Sequence, residues 1–386
     1  MKTVLTAARL FTPTDSIELP LVTIEDGHIA ALASREHAEL PSNARHTDFP
    51  GMVLVPGFID IHIHGGAGHD VMEAESSTLA AIETAMARTG VTSYLPTTVT
   101  ASEDRLLRAL DHLGRAVAKN ESHKNGAVPL GIHLEGPFIS HAKRGVHPPE
   151  NLVQPSPHLL DKFWQASGGG IRMMTIAPEI PGAVATINHA KQLGVACSLG
   201  HSDATYQEAV QGIAAGATHA THTFNAMRAF DHREPGILGA VLTEKGITAD
   251  IIADGVHVAP AALQLFLMAK GPERAILITD AISATGMPDG RYRLGTLDVD
   301  VKGDRCEHQG KLAGSVLTLD RAVRNVMSFT AWELQQVIRM ATLNPARLLG
   351  IASQRGTLAP GRIADIVVLT PQGQVVQTII AGSGSV

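Results

Sequence analysis

Between residues 50 and 350 the chain alternates short, continuously apolar runs with longer segments that place apolar residues every three to four positions. The apolar runs are Val53–His62, Thr92–Val99, Leu130–Leu134, Ile171–Ala177, Val195–Leu199, Thr218–Thr223, Ala249–Ala253 and Ala275–Thr279. They are rich in β-branched residues and too short for helices, so they read as strands buried on both faces. Helical spacing marks Thr78–Arg88, Ser102–Val117, Val184–Gln192, Ala204–Ala214 and Ala261–Ala269, with Pro260 suited to the first turn of the last. Leu319–Phe329 and Glu333–Leu349 add a closing helical pair. Eight buried strands alternating with helices form parallel βα units, which close most simply into a barrel. The expected fold class is α/β, a (β/α)8 TIM-type barrel over residues 56–355.

The two ends have a different texture. Lys2–Phe11, Pro20–Ile24 and His28–Ala33 read as strands with a turn at Glu25-Asp26-Gly27. Ala364–Leu369 and Val375–Ile380 repeat that texture after a Pro360-Gly361 turn. Neither end alternates enough to bury a sheet alone, which points to one small β-sandwich built jointly from residues 1–55 and 356–386.

Composition then works by exclusion. The chain has 386 residues, 18% of them charged, a formal net charge of −6 and no run of Lys and Arg, so no nucleic-acid partner is expected. No apolar stretch approaches the ~18 residues of a membrane span, and the first twenty residues lack a signal-peptide core. Cys197 and Cys306 allow at most one bridge, and a reducing cytoplasm is the expected compartment.

The candidate chemistry sits where the strands end, the face on which such barrels carry their active sites. Strand one ends in Asp60-Ile61-His62-Ile63-His64, and period-two alternation turns His62 and His64 to one side. Strand three ends in His133-Leu134-Glu135, strand five in Gly200-His201, strand six in Thr221-His222, strand seven in Asp254-Gly255-Val256-His257 and strand eight in Thr279-Asp280. With 19 histidines in the chain, any single one is weak evidence. Imidazoles and a carboxylate converging from four strand ends are a nitrogen/oxygen ligand set, which suits zinc or iron and not calcium. Asp280 beside them can take a proton from a water that such an ion acidifies, although Asp there also suits a helix N-cap. A cationic stretch, His232-Arg233-Glu234-Pro235-Gly236, follows strand six. Arg233 there can clamp a phosphate with its planar fork or pair with Glu234.

The run Pro56–Gly66, with its His-x-His, resembles the opening strand of the amidohydrolase superfamily. The stretches His133-Leu-Glu-Gly-Pro-Phe, Gly200-His-Ser, His222-Thr-Phe-Asn-Ala-Met, His232-Arg-Glu-Pro-Gly, Ile252-Ala-Asp-Gly-Val-His and Leu312-Ala-Gly-Ser resemble, more narrowly, its N-acetylglucosamine-6-phosphate deacetylase family. The resemblance runs in order over nearly the whole chain. It implies metal ligation by Glu135, His201 and His222, an acid/base role for Asp280, and sugar contacts from Asn225 and Ala226. It also implies His147 near the acetamido group, phosphate contacts from Arg233 and His257, a substrate contact from Asp254, and a loop at Leu312, Ala313 and Gly314 that closes over substrate. Retention of His62 and His64 permits a second ion bridged by Glu135, so one or two divalent ions per subunit, zinc before iron, are implied. So is a homodimer in which Arg233 and His257 serve a shared phosphate site.

The reaction implied is hydrolysis of the acetamide of N-acetyl-D-glucosamine 6-phosphate, with the galacto epimer as the near alternative. A cyclic amidase of the dihydropyrimidinase type is more distant: many carry a carbamylated lysine at the end of strand four, where this chain has Ala177-Pro178-Glu179. A sugar-phosphate-binding regulator on the same scaffold would leave the ligand set without use.

Overall fold

The computed structural model describes residues 2–73, 75–119 and 126–385. Its barrel strands are β1 Phe58–Ile63, β2 Val91–Thr98, β3 Ile132–Glu135, β4 Ile171–Ile176, β5 Ala196–Leu199, β6 Ala217–Ala220, β7 Ala249–Ile252 and β8 Ala275–Ile278. Parallel ladders join β1 through β6 in order and β7 to β8. Two seams complete the circle. Ala220 N–H bonds to Thr248 O and Thr223 N–H to Asp250 O, both at 3.0 Å, between β6 and β7. Asp280 N–H reaches His62 O at 2.9 Å, and His64 N–H reaches Ala281 O at 2.8 Å, between β8 and β1. The (β/α)8 barrel is therefore closed, and every strand end discussed above opens on one rim.

The apolar run Val53–His62 is not one strand. Its first part ends the strand Arg45–Pro56 and its second is β1. Pro56 has no N–H for a ladder, and a Cβ at Gly57 would fall 2.2 Å from Thr92 Oγ1, so the chain bends there and changes sheets. Arg45–Pro56 pairs in parallel with Lys2–Phe11 and antiparallel with Ile366–Leu369. The strands of both termini thus form one continuous eight-stranded sheet around a core of Leu5, Val22, Ile29, Leu54, Ile366 and Val368. The expected helix Glu333–Leu349 is also two, Leu334–Ala341 and Leu343–Leu348, broken at Thr342. Pro345 offers no N–H to the carbonyl of Ala341, which stops the helical ladder.

The sequence pattern does not mark two of the helices or the insertion that follows β8. Helix Pro157–Ala166 is capped by Ser156, whose Oγ accepts from Leu159 N–H at 3.2 Å. Helix Gly236–Thr243 is buried on most sides. A four-stranded antiparallel insertion, Gly290–Leu294, Leu297–Lys302, Arg305–His308 and Lys311–Leu312, follows β8 beside the rim.

Helix Pro260–Arg274 is fastened by an unusual residue. Lys270, 1% exposed, donates from Nζ to Val241 O at 2.7 Å, Ile247 O at 2.6 Å and Glu244 O at 3.3 Å. Lys270→Met keeps the stem but leaves these carbonyls without a charged donor, an expected cost of about 3 kcal/mol or more. The urea midpoint reads this directly, and an unchanged midpoint would show that the three bonds contribute nothing net.

Candidate metal and catalytic site

Seven side chains predicted from sequence meet at the rim. Glu135 stands at their centre, 2% exposed, with its two oxygens facing different groups. Its Oε1 lies 3.1 Å from His222 Nε2 and 3.4 Å from His201 Nε2, and those two nitrogens are 3.1 Å apart. Its Oε2 lies 3.4 Å from His62 Nε2 and 3.2 Å from His64 Nε2, themselves 3.2 Å apart. Asp280 Oδ1 closes the second group at 3.5 Å from His62 and 3.2 Å from His64. His147 Nε2 is 3.8 Å from Glu135 Oε2.

These spacings fit a metal ion. Ligand atoms held ~2.0–2.1 Å from one ion in tetrahedral array stand about 3.3 Å apart. Proton placement makes the same point. His64 Nδ1 donates to Thr97 O at 3.0 Å and His201 Nδ1 donates to Lys143 O at 2.8 Å, carbonyls that can only accept. In the neutral rings the bare Nε2 lone pairs then face carboxylate oxygens, an arrangement that needs positive charge between them. A proton can supply it: burial pushes the His64 imidazole down, but Asp280 and Glu135 outweigh it and hold the group up at about 10. A divalent ion supplies it better, satisfying both groups at once.

The backbone is bent to present these groups. His201, His222 and Asp280 take positive φ of 46°, 28° and 51°, a region costly for residues with a side chain and concentrated at functional sites. After Glu135 the turn requires glycine. A Cβ on Gly136 would sit 2.1 Å from Thr100 Oγ1 and 3.5 Å from His147 Nδ1.

Electrostatics separates the two candidates for proton chemistry. Burial raises the Asp280 carboxyl, yet the neighbouring His62 and His64 overcome that and bring it to about 2, so it is ionised at neutral pH. His147 is pushed down to about 3 by burial and by His201, so it is neutral. Thr100 N–H donates to His147 Nδ1 at 3.3 Å, which leaves the ring proton on Nε2, the nitrogen that faces Glu135. Thr100 was not singled out from sequence. It lies 47 positions from His147, and only the barrel joins them.

The remaining candidates form a periphery. Asn225 is half-buried, and its Nδ2 has no partner among the described residues. Ala226 takes φ 51° and accepts from Ser202 N–H. Leu312, Ala313 and Gly314 lie against strand eight: a Cβ on Gly314 would meet Ile282 Cγ2 at 2.2 Å and Asp280 O at 3.1 Å. Asp254 turns both oxygens to its own loop, taking Val256 and His257 N–H on Oδ1 and His257 Nδ1 on Oδ2 at 2.7 Å. Arg233 is exposed, and Glu234 is engaged instead with Tyr206 and Gly236 N–H. Among the described residues, Arg233, Asp254 and His257 make no hydrogen bond or ion pair with the Glu135 group. Glu179, just beyond β4, accepts from Ser202 Oγ and Asp203 N–H, and Glu135 is the carboxylate that stands between the two imidazole pairs.

A closed barrel whose rim holds a carboxylate between two imidazole pairs, beside an ionised aspartate, is suited to metal-assisted hydrolysis. Residues 53–383 match the profile of the amidohydrolase family, and the chain belongs to that family. N-acetylglucosamine-6-phosphate deacetylase of Bacillus subtilis (strain 168) is 38% identical over 376 residues, covering 97% of this chain and 94% of that one. N-acetylgalactosamine-6-phosphate deacetylase of Escherichia coli O157:H7 is 40% identical over 383 residues, covering 99% of both. Among solved structures, a mutant N-acetyl-D-glucosamine-6-phosphate deacetylase from Mycobacterium smegmatis, in complex with N-acetyl-D-glucosamine-6-phosphate, superposes with a TM-score of 0.93 at 36% identity, over 100% of this chain and 99% of that one.

Proposed function

We propose that this chain hydrolyses the acetamide of N-acetyl-D-glucosamine 6-phosphate, releasing acetate and D-glucosamine 6-phosphate. The observation that carries the reading is the juxtaposition of the Glu135–His201–His222 group, ionised Asp280 and neutral His147 within one cluster.

Glu135, His201 and His222 would hold one divalent ion, and Glu135, His62, His64 and Asp280 a second. Zinc is the best match to nitrogen and oxygen donors at this spacing, with iron next. Such an ion lowers the pKa of a bound water towards ~7 and polarises a carbonyl. Asp280 takes the proton of the attacking water as its oxygen bonds to the acetyl carbon. His147 donates its Nε2–H to the carbonyl oxygen as negative charge gathers there. Asp280 then delivers the proton to the departing nitrogen as the C–N bond breaks, so one carboxylate serves both steps. Asn225 and Ala226 place the sugar, and the loop at Leu312, Ala313 and Gly314 covers it.

Phosphate recognition falls to Arg233 and to His257, which Asp254 orients. We assign the two to a site shared across a homodimer. Arg233 projects from an exposed loop that also carries Phe230 at 59% exposure, and aromatic and Arg side chains are enriched in interface cores. No helix among the described residues is long and apolar enough to cross a membrane. Buried, unpaired Cys197 and Cys306, whose thiols burial raises to about 12, favour a reducing cytoplasm. The domains are taken as residues 56–355 for catalysis and 1–55 with 356–386 for the sandwich.

Stripping with a chelator should abolish acetate release, and re-added zinc should restore it; activity that survives complete stripping would overturn the metal-dependent reading. Metal-saturated wild type is expected to bind two ions by elemental analysis. His62→Gln combined with His64→Asn should lose one of them. A single ion in the wild type would remove the second site and leave the first, since Glu135, His201 and His222 suffice for one.

A further inference from the structure

The four ligand histidines are held in two different ways. His64 and His201 are oriented through their rings, whose Nδ1–H groups donate to Thr97 O and Lys143 O. His62 and His222 have no such support: in each the Nδ1 is buried without a partner among the described residues. Their rings have packing alone, His62 edge-on to His133 and His222 edge-on to His201, so the backbone they grow from must be held in place, and both main-chain N–H groups end on a buried aspartate. His62 N–H donates to Asp60 Oδ1 at 3.2 Å, and His222 N–H donates to Asp250 Oδ1.

The His222 case is the more demanding. Its φ of 28° lies at the edge of the left-handed region, and its N–H leaves the β6 ladder. Its neighbours are tied elsewhere: Thr221 N–H to Leu199 O and Thr223 N–H to Asp250 O, both at 3.0 Å. Asp250 is fully buried on β7, and its second oxygen accepts from His219 Nε2–H at 2.8 Å. His219 Nδ1 is in turn 2.8 Å from Thr248 Oγ1. The carboxylate is therefore clamped from behind and holds the strained turn from which His222 reaches Glu135 and His201.

We propose that Asp250 is a positioning residue for the metal centre, doing for His222 through the main chain what a carbonyl acceptor does for His201 through the ring. The inference rests on the metal-site reading above. It differs from a demand for negative charge, because what His222 needs is an acceptor at a fixed place. Asp250→Asn keeps that acceptor, since the amide oxygen can take the His222 N–H while the NH2 donates to His219 Nε2, once the imidazole carries its proton on Nδ1 towards Thr248 Oγ1. Asp250→Ala removes it.

The test is zinc affinity, by chelator competition on metal-free protein, with circular dichroism confirming the fold. Outer-shell partners of metal ligands typically contribute about 10- to 100-fold in affinity. Asp250→Ala is expected to weaken zinc by that factor, and Asp250→Asn to stay within about threefold of wild type. The visible spectrum of the cobalt-substituted protein should shift in the alanine variant and not in the asparagine one. Wild-type affinity in folded Asp250→Ala overturns the proposal, and so does an equal loss in both variants. Should Asp250→Ala fail to fold, His219→Leu leaves the carboxylate but removes the donor to its second oxygen. A several-fold weakening is then expected, and unchanged affinity overturns the proposal. A wild type that binds no zinc would instead refute the metal-site reading itself.

Discussion

Asp280→Asn is expected to lower turnover by about 10²-fold or more while the protein stays folded and keeps the ion held by Glu135, His201 and His222. The expectation follows from charge and place. Asp280 Oδ1 lies 3.2 Å from His64 Nε2 and 3.5 Å from His62 Nε2, and these imidazoles keep the carboxyl ionised despite its burial. An ionised carboxylate can accept a proton from water at neutral pH and then, as the acid, return it to the amine. Asparagine has the same shape and neither ability. The loss should therefore fall on kcat, with KM changing much less. Kinetics on N-acetylglucosamine 6-phosphate with parallel metal analysis check it. Near-wild-type turnover in Asp280→Asn would remove the residue from the chemistry.

Arg233→Ala is expected to erase most of the preference for the phosphorylated sugar. A guanidinium can hold two phosphate oxygens, and charge-assisted hydrogen bonds contribute about 1.5–3 kcal/mol each, so the pair is worth on the order of 10² to 10⁴ in kcat/KM. Arg233 is exposed on its loop and, among the described residues, forms no ion pair, since Glu234 instead accepts from Tyr206 and Gly236 N–H, so its fork can turn to a ligand. Activity on unphosphorylated N-acetylglucosamine should change little. Arg233→Lys should recover only part of the preference, because a point charge cannot reproduce two parallel bonds. Equal losses on both sugars would assign Arg233 to structure instead of phosphate.

How far these features are legible in sequence depends on which interaction defines them. The barrel strands can be read because parallel strands covered on both faces are continuously apolar, as at Ala249–Ile252 and Ala275–Ile278. Helix Gly236–Thr243 escapes for the converse reason: Gly236 through Val241 are all buried, so no polar face marks a helical period. The strands of the insertion after β8 alternate buried and exposed positions, as in Leu297–Lys302, and a search for continuous runs passes over them. The boundary at Pro56-Gly57 lies inside an unbroken apolar run, and only the two sheets that receive its halves reveal it.

The site divides along the same line. Glu135, His62 and His64 stand out because strand alternation sends them inward at the rim. The residues that hold them do not. Asp250 is 28 positions from His222 and Thr100 is 47 from His147, and each contact exists only once strands or loops are neighbours in space. One signal was available: Asp250 is a lone carboxylate in an otherwise apolar buried strand, a placement that demands partners. The positive φ values of His201, His222 and Asp280 leave no trace in residue type.

The most direct test of the assignment is acetate release by the zinc-replete enzyme from three sugars measured side by side: N-acetylglucosamine 6-phosphate, N-acetylgalactosamine 6-phosphate and unphosphorylated N-acetylglucosamine. The highest kcat/KM is expected on the first. The galacto epimer should fall by about 10-fold or more, since one misplaced hydroxyl leaves a buried polar group unpaired at a cost of about 1–3 kcal/mol. The unphosphorylated sugar should fall further. Equal or faster release from the galacto epimer would contradict the glucosamine assignment, and no acetate from either phosphate would contradict the deacetylase itself.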